Sequence, residues 1–153
     1  MNLQASIEQV AGILHRAGFD FDTHRDGWSY RIRFDRDAVF VHVDDFNGSP
    51  RVFVSSPALS NLDPEDPGYA LLLNQLNELN AQHRFAKWFI TDGTLLCAHD
   101  LLGSTLQADQ LLNAVMSVAG AVHNACEDRE LEDVTGGDRY DVDELAMSEV
   151  EDD

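Results

Sequence analysis

Cys97 and His99 are the first residues to weigh as chemistry. Their i, i+2 spacing on a strand would put a thiol and an imidazole on one face, where the histidine could activate a nucleophile. No third group is evident to orient the imidazole, so the pair reads as a buried cysteine beside an edge histidine. Asp20, Asp22, His24 and Asp26, in FDFDTHRDG, sit near the rhythm of an EF-hand loop. Counting Asp22 as position 1 puts Arg33 at position 12, where a bidentate glutamate is required, and the calcium reading fails. As paired carboxylates they would need desolvation to raise a pKa for acid catalysis, and a polar loop does not supply it. His42 has no second His or Cys at ligand spacing and reads as a core or interface histidine. The chain holds no G-x-S-x-G elbow, phosphate loop, G-x-G-x-x-G or H-E-x-x-H. We therefore expect no enzyme, and no catalytic residue, cofactor or metal.

Charge narrows the partners. The 153 residues carry 28 acids against 10 bases, a formal charge of -18. Residues 127–153 alone hold 13 acids and 2 bases. Affinity for nucleic acid comes from Lys and Arg releasing counterions, and this chain has one lysine, so nucleic acid is excluded as a direct partner. The same repulsion excludes anionic membrane surfaces. No apolar run approaches the roughly 20 residues of a membrane span, and MNLQASIEQV lacks the basic start and apolar run of a signal peptide, so a cytoplasmic protein is expected. Cys97 and Cys126 make no C-x-x-C, and each lies in an apolar periodic run, as small buried hydrophobes do.

The elements that would position any site centre on residues 66–101. Asp66 is a good N-cap and Pro67 suits the first helical position. Leu72, Leu76, Leu79 and His83 then trace one face of a helix, flanked by Leu73 and Asn80. Phe85–Thr91 and Thr94–Leu101 follow as strands joined by Asp92-Gly93, a type I′ turn signal. Asn74, Asn77 and Asn80 recur every three residues along the helix; buried, they could cap strand ends or fix a dimer register, and otherwise they face solvent.

Around this unit, Leu3, Ile7, Val10, Ala11 and Leu14 mark a first helix ended at Gly18. Trp28, Tyr30, Ile32 and Phe34 alternate with Ser29, Arg31 and Arg33 in a half-buried strand whose aromatic side should face the helices. In AVFVHV, Val39, Val41 and Val43 oppose Ala38, Phe40 and His42, so both faces are apolar and a second element or another subunit should cover each. Asn47-Gly48 turns into the strand RVFVSS, and SPALSNLDPEDPG is expected as a long, mobile connection. Ser104 with Gln107 resembles a capping box for a last helix bearing Leu111, Val115, Val118, Val122 and Cys126, with Met116 filling core beside them. From residue 130 to 153 the acid density reads as a flexible, solubilising tail. Within it Val142, Leu145, Ala146 and Val150 leave open a short amphipathic docking segment. The order is α-β-β-β-α-β-β-α, an α+β domain over residues 1–129 with an antiparallel sheet of about five strands covered by helices.

The segment LLLNQLNELNAQHRFAKWFITDGTLLCAHDLL resembles that of the YbjN family, where a leucine- and asparagine-bearing helix leads into a strand, a DG-type turn and another strand. The likeness extends less sharply over residues 3–126. It implies the fold of type III secretion chaperones, and a bacterial, non-enzymatic protein whose relatives include sensory-transduction regulators and chaperones that hold partner polypeptides as dimers. The expected function is thus a homodimeric, chaperone-like regulator that binds another polypeptide. Val39, Phe40, Val41, His42, Val43 and Phe53 are its candidate partner or dimer surface. The alternatives are an inhibitor whose acidic tail occupies a basic partner, and a small-ligand or metal-dependent enzyme around Cys97 and His99 or around Asp20–Asp26.

Overall fold

Side-chain alternation decides the architecture. In the adjoining strands 37–46 and 49–60, Val39, Val41, Val43, Val52 and Val54 are all fully buried on one face. The structure, a computed structural model, describes residues 3–24, 29–35, 37–82, 86–128 and 131–141. The elements are α1 (Leu3–Arg16), β1 (Phe21–Thr23), β2 (Ser29–Phe34), β3 (Asp37–Phe46), β4 (Ser49–Ser60), α2 (Gly68–Gln82), β5 (Lys87–Thr91), β6 (Thr94–Leu102), a 3-10 turn (Gly103–Thr105), α3 (Ala108–Asp128), α4 (Leu131–Thr135) and β7 (Asp138–Arg139). One antiparallel sheet runs β1-β2-β3-β4-β6-β5, and β7 adds to β4 where β3 has ended.

The sheet has seven strands where about five were expected. The additions, β1 and β7, span three and two residues, too few to generate a periodic pattern. A second difference lies in β4. The expected strand RVFVSS continues through Pro57, Ala58 and Leu59 to Ser60, instead of giving way to a mobile connection at Ser56. Pro57 is tolerated because the pairing with β6 shifts register between Pro57 and Leu59, an irregularity of the kind that accommodates a residue without an N–H. The connection proper is therefore only residues 61–67.

Local signals account for the ends of the elements. Gly18, at φ +80°, closes α1, and the Phe19 N–H reaches back to the Leu14 carbonyl. Asp66 Oδ1 accepts the Gly68 N–H at 2.8 Å, the N-cap bond expected of it. Asn47-Gly48 and Asp92-Gly93 each carry two successive positive φ angles, as type I′ hairpins require. The cap of α3 lies three residues later than expected. Gln110 Oε1 accepts the Gln107 N–H at 3.1 Å, so the reciprocal bond is made by Gln107 and Gln110, and residues 103–105 form the 3-10 turn instead.

The helices share one face of the sheet. α3 crosses β3, β4 and β6, α1 lies over β3 and β4, α2 packs on β5, and α4 bridges α2 and α3. Leu72, Leu76, Leu79, Leu111, Val115, Val118, Val122 and Cys126 are buried in this core, as their spacing indicated. Met116 is not: at 53% exposure it lies on the outer side of α3. It follows Val115 by one position, about 100° around the helix, which carries it off the buried stripe. Leu131, within the stretch read as tail, is fully buried in the same core, and Tyr140 is 7% exposed. Residues 142–153 lie outside the described residues.

Candidate functional site

The opposite face of the sheet is a mosaic dictated by the strand register. One cross-strand row is Ser29, His42, Phe53 and Asp100; the next is Arg31, Phe40, Ser55 and Ala98; a third brings Asp44, Arg51 and Leu102 into line. Leu96 and Phe89 are paired on β6 and β5. Phe89 is 38% exposed and Leu102 63%. No helix among the described residues packs on this face, whereas the other face is sealed by three.

Arg51 organises the middle of the mosaic. Its guanidinium carbon lies 5.3 Å from the Phe46 ring centroid and 5.5 Å from that of Phe53, within cation–π range. Its Nε donates to Asp44 Oδ1 at 3.0 Å and its Nη2 to Asp44 Oδ2 at 2.7 Å, a bidentate pair. These hydrogen bonds hold the Asp44 carboxyl below its ordinary value against a smaller opposing effect of burial. Ser29 Oγ and His42 Nδ1 share a 2.6 Å hydrogen bond, and His42 Nε2 stands 3.8 Å from Asp44. Arg31, 3% exposed, donates to Asp22 Oδ2 at 2.8 Å. The charges on this face, Arg31, Arg33, Arg51 and Lys87 against Asp22, Asp44 and Asp100, nearly balance. Elsewhere among the described residues, Arg16 and Arg139 stand against a large excess of carboxylates.

Of the candidate surface, Phe40, His42 and Phe53 lie on this open face and are partly exposed, while Val39, Val41 and Val43 do not. With a period of two the valines point the other way, under the chain's own helices, and are not available to a partner. Tyr140, which sequence reasoning missed, does reach the open face. Its N–H donates to the Ala58 carbonyl at 2.9 Å, and its ring packs edge-on to Phe40 with centroids 6.5 Å apart. A lone tyrosine between Arg139 and Asp141 carries no periodic signal that could have placed it.

The chemical candidates separate. Cys97 and His99 do lie on one face, the helix face, but Cys97 is fully buried and burial pushes its thiol up to about 12. Burial also lowers the His99 pKa, with Asp100 opposing it. A thiol of that kind is protonated at neutral pH and is no nucleophile. His99 instead borders a cleft of about 260 Å³ between β6 and α3, with Leu101, Gln110, Asn113, Ala114 and Ser117. Asp22 is taken by Arg31, Asp26 lies outside the described residues, and among the described residues no group of three or more His, Cys, Asp or Glu is placed to hold a metal. Of the asparagines, Asn74 and Asn77 are exposed. Asn80 is a strand cap: its Oδ1 accepts the Trp88 N–H at 2.7 Å and its Nδ2 donates to the Trp88 carbonyl at 3.1 Å.

A sheet with helices on one side has counterparts among known proteins. The model of the family described as "T3SS (YopN, CesT) and YbjN peptide-binding chaperone 1", TY-Chap1, matches residues 4–143. The chain belongs to this family. The match includes Leu131 and Tyr140. The crystal structure of YbjN from E. coli superposes with a TM-score of 0.60 at 15% identity, covering 80% of this chain and 92% of that one. The structure of the HopA1-SchA chaperone-effector complex gives a TM-score of 0.55 at 13% identity, with 81% and 96% covered. At these identities the two structures show a shared fold. No curated protein matches the sequence. TY-Chap1 is a family of chaperone-type binding proteins, not of enzymes, and among the described residues no helix is long and apolar enough to cross a membrane.

Proposed function

We propose that this protein is a cytoplasmic, non-enzymatic regulator that holds another polypeptide in chaperone fashion along the open face of its sheet, and that it works as a homodimer. The observation that carries the reading is the pairing of Phe40, Phe53, Leu96 and Phe89 with a nearly charge-balanced surround on a face that no described helix covers. Apolar side chains at alternate strand positions give an extended peptide its anchors, and neutral surroundings spare an acidic chain from repelling it. The family's description as peptide-binding chaperones supports the same reading. Leu71 and Leu73, 58% and 48% exposed on α2, supply apolar surface for the second subunit away from the peptide face.

The test is capture from the native host by the tagged full chain and by Phe53→Asp, with each captured polypeptide then purified and titrated against both. Phe53→Asp replaces a face residue by a charge while leaving Val52 and Val54 in the core. We expect at least one polypeptide to bind the parent directly and to lose ten-fold or more in affinity against Phe53→Asp, while Met116→Asp, on the helix side, binds as the parent does. Equal binding by all three chains would refute the assignment of the face.

A further inference from the structure

The open face is not uniform along its strands. We infer that its end, where Phe46, Arg51, Asp100 and Leu102 converge, is a subsite that selects which polypeptide segment is held: it takes one large apolar side chain with a lysine or arginine within two positions of it. The inference rests on the peptide-binding reading above and adds the sequence preference of the partner.

Strand register builds the subsite. Arg51 on β4 stands opposite Leu102 on β6, Asp100 follows one step along β6 on the same side, and Phe46 closes the hairpin end opposite Ser49. Between them lies a pocket of about 200 Å³, walled by Phe46, Pro50 and Leu102 and bordered by Arg51 and Asp100. Phe46 and Leu102 are 56% and 63% exposed, so two of the largest apolar side chains on this face stand free at the pocket mouth. A pocket of this size falls short of the roughly 300–1,000 Å³ of small-molecule sites and suits a single side chain. Its border is set before a partner arrives. Asp44 holds the Arg51 guanidinium against the Phe46 and Phe53 rings, so little ordering is left to binding.

Charge then defines the neighbour of that side chain. Arg51 and Asp44 satisfy each other. Among the described residues the Asp100 carboxylate, exposed at the border, accepts no hydrogen bond and joins no ion pair; Arg51 reaches it only through space. The other cations of the face are placed elsewhere. Lys87, opposite Ala98, donates its Nζ to the Asn80 carbonyl at 3.3 Å, Arg31 is bound to Asp22, and Arg33 stands opposite Ala38 at the far end of β3. Arg51, Asp44 and Asp100 together thus leave one negative charge at the pocket, on a chain whose formal charge is -18. Along an extended segment, alternate residues on one face are about 7 Å apart, so a basic side chain within two positions of the seated one reaches Asp100.

The experiment selects random dodecapeptides displayed on phage against the full chain. The most enriched sequence is then titrated, as a fluorescein-labelled synthetic peptide, against the parent, Asp100→Asn, Leu102→Ser and Asp92→Asn. Asp92→Asn removes one exposed carboxylate at the β5–β6 turn, where asparagine suits the positive φ. We expect enriched peptides to carry Lys or Arg within two positions of Leu, Ile, Met or Phe. Leu102→Ser should weaken binding ten-fold or more, and Asp100→Asn about three- to five-fold at low salt, the range an exposed ion pair allows, while Asp92→Asn binds as the parent does. Replacing the basic residue of the peptide by alanine should erase the difference between the parent and Asp100→Asn, as a direct pair requires. Enriched peptides without that combination, or a difference that survives the replacement, would overturn the inference. If Asp100→Asn and Leu102→Ser bind as the parent does while Phe53→Asp loses ten-fold, the subsite falls and the peptide-binding reading stands. No enrichment on the parent, or equal binding by every variant including Phe53→Asp, refutes both. A second copy seated in the pocket would show as a dimer that Leu102→Ser dissociates, with the peptide binding that variant more tightly than the parent, and would overturn the assignment to a partner polypeptide.

Discussion

Asn80 offers the sharpest test of how the sheet is tied to its helices. Its side-chain amide satisfies both backbone groups of Trp88, whose indole is 3% exposed at the start of the edge strand β5. Each such bond contributes about 0.5–1.5 kcal/mol net, so Asn80→Ala removes about 1–3 kcal/mol. Alanine returns about 0.5 kcal/mol through its better helix propensity, leaving a loss near 1.5 kcal/mol. With a urea m-value on the order of 2 kcal/mol/M, the unfolding midpoint should fall by about 0.7 M. Asn77→Ala is the internal control: Asn77 is exposed on the same helix, so only the propensity gain remains and its midpoint should rise slightly. Asn80→Asp keeps an acceptor for the Trp88 N–H but sets a carboxylate against the Trp88 carbonyl, so it should do no better than alanine above pH 5. Equilibrium urea unfolding of the three variants, at constant m, decides the matter. An Asn80→Ala midpoint no lower than that of Asn77→Ala would refute the strand-cap account.

Four further outcomes follow from the packing and charges described above. Gly103→Ala should destabilise by about 1–3 kcal/mol, because a Cβ there would meet Pro50 Cβ at 2.7 Å, whereas Gly120→Ala, with nothing within 4 Å, should stabilise by about 0.5–1 kcal/mol; thermal melts compare them. Leu131→Ala should cost about 2–5 kcal/mol by urea unfolding if α4 belongs to the core, and near nothing if it does not. The Arg51 hydrogen bonds depress the folded-state pKa of Asp44, so their stabilisation is fully present above the ordinary value of 3.8 and fades as pH falls through the folded value. Partial exposure keeps it below about 1 kcal/mol, and Asp44→Asn should flatten that part of the pH–stability profile below pH 4. Cys97, with a thiol at about 12, should resist iodoacetamide at pH 8 in the native state and react only on unfolding, which mass spectrometry reads directly.

What the sequence disclosed was local. Asp66 before Pro67, Asn47-Gly48 and Asp92-Gly93 each determine their own backbone geometry within four residues, so they were legible without knowing the fold. The leucine stripe of α2 and the valine stripe of α3 were legible for the same reason. Pro57 misled because its effect depends on the register of a neighbouring strand, and register is a property of the pair. Met116 misled by one position on a helix whose stripe is wide. The valines of β3 were offered to a partner together with Phe40 and His42, since alternation says that two faces exist and not which is taken by the chain's own helices. Phe40, His42 and Phe53 were placed on the candidate surface, and the structure puts them on the open face. Tyr140 and Arg31 were out of reach altogether: their burial is created by residues distant in sequence.

Among the described residues β4 is the only strand that serves three neighbours: β6 along one edge, and β3 then β7 along the other. Ser60 and Asp138, which meet at the last of these junctions, are 78 positions apart. During synthesis, then, the first half of β4 closes on β3 through a two-residue turn almost as soon as it emerges, while the second half waits for nearly the whole remaining chain. A nascent or partly matured protein would display an unfilled strand edge beside Phe40 until β7 arrives. The final zipping step of folding and the final shaping of the open face are thus one event, and a chain stalled before Tyr140 would be both unfinished and adhesive.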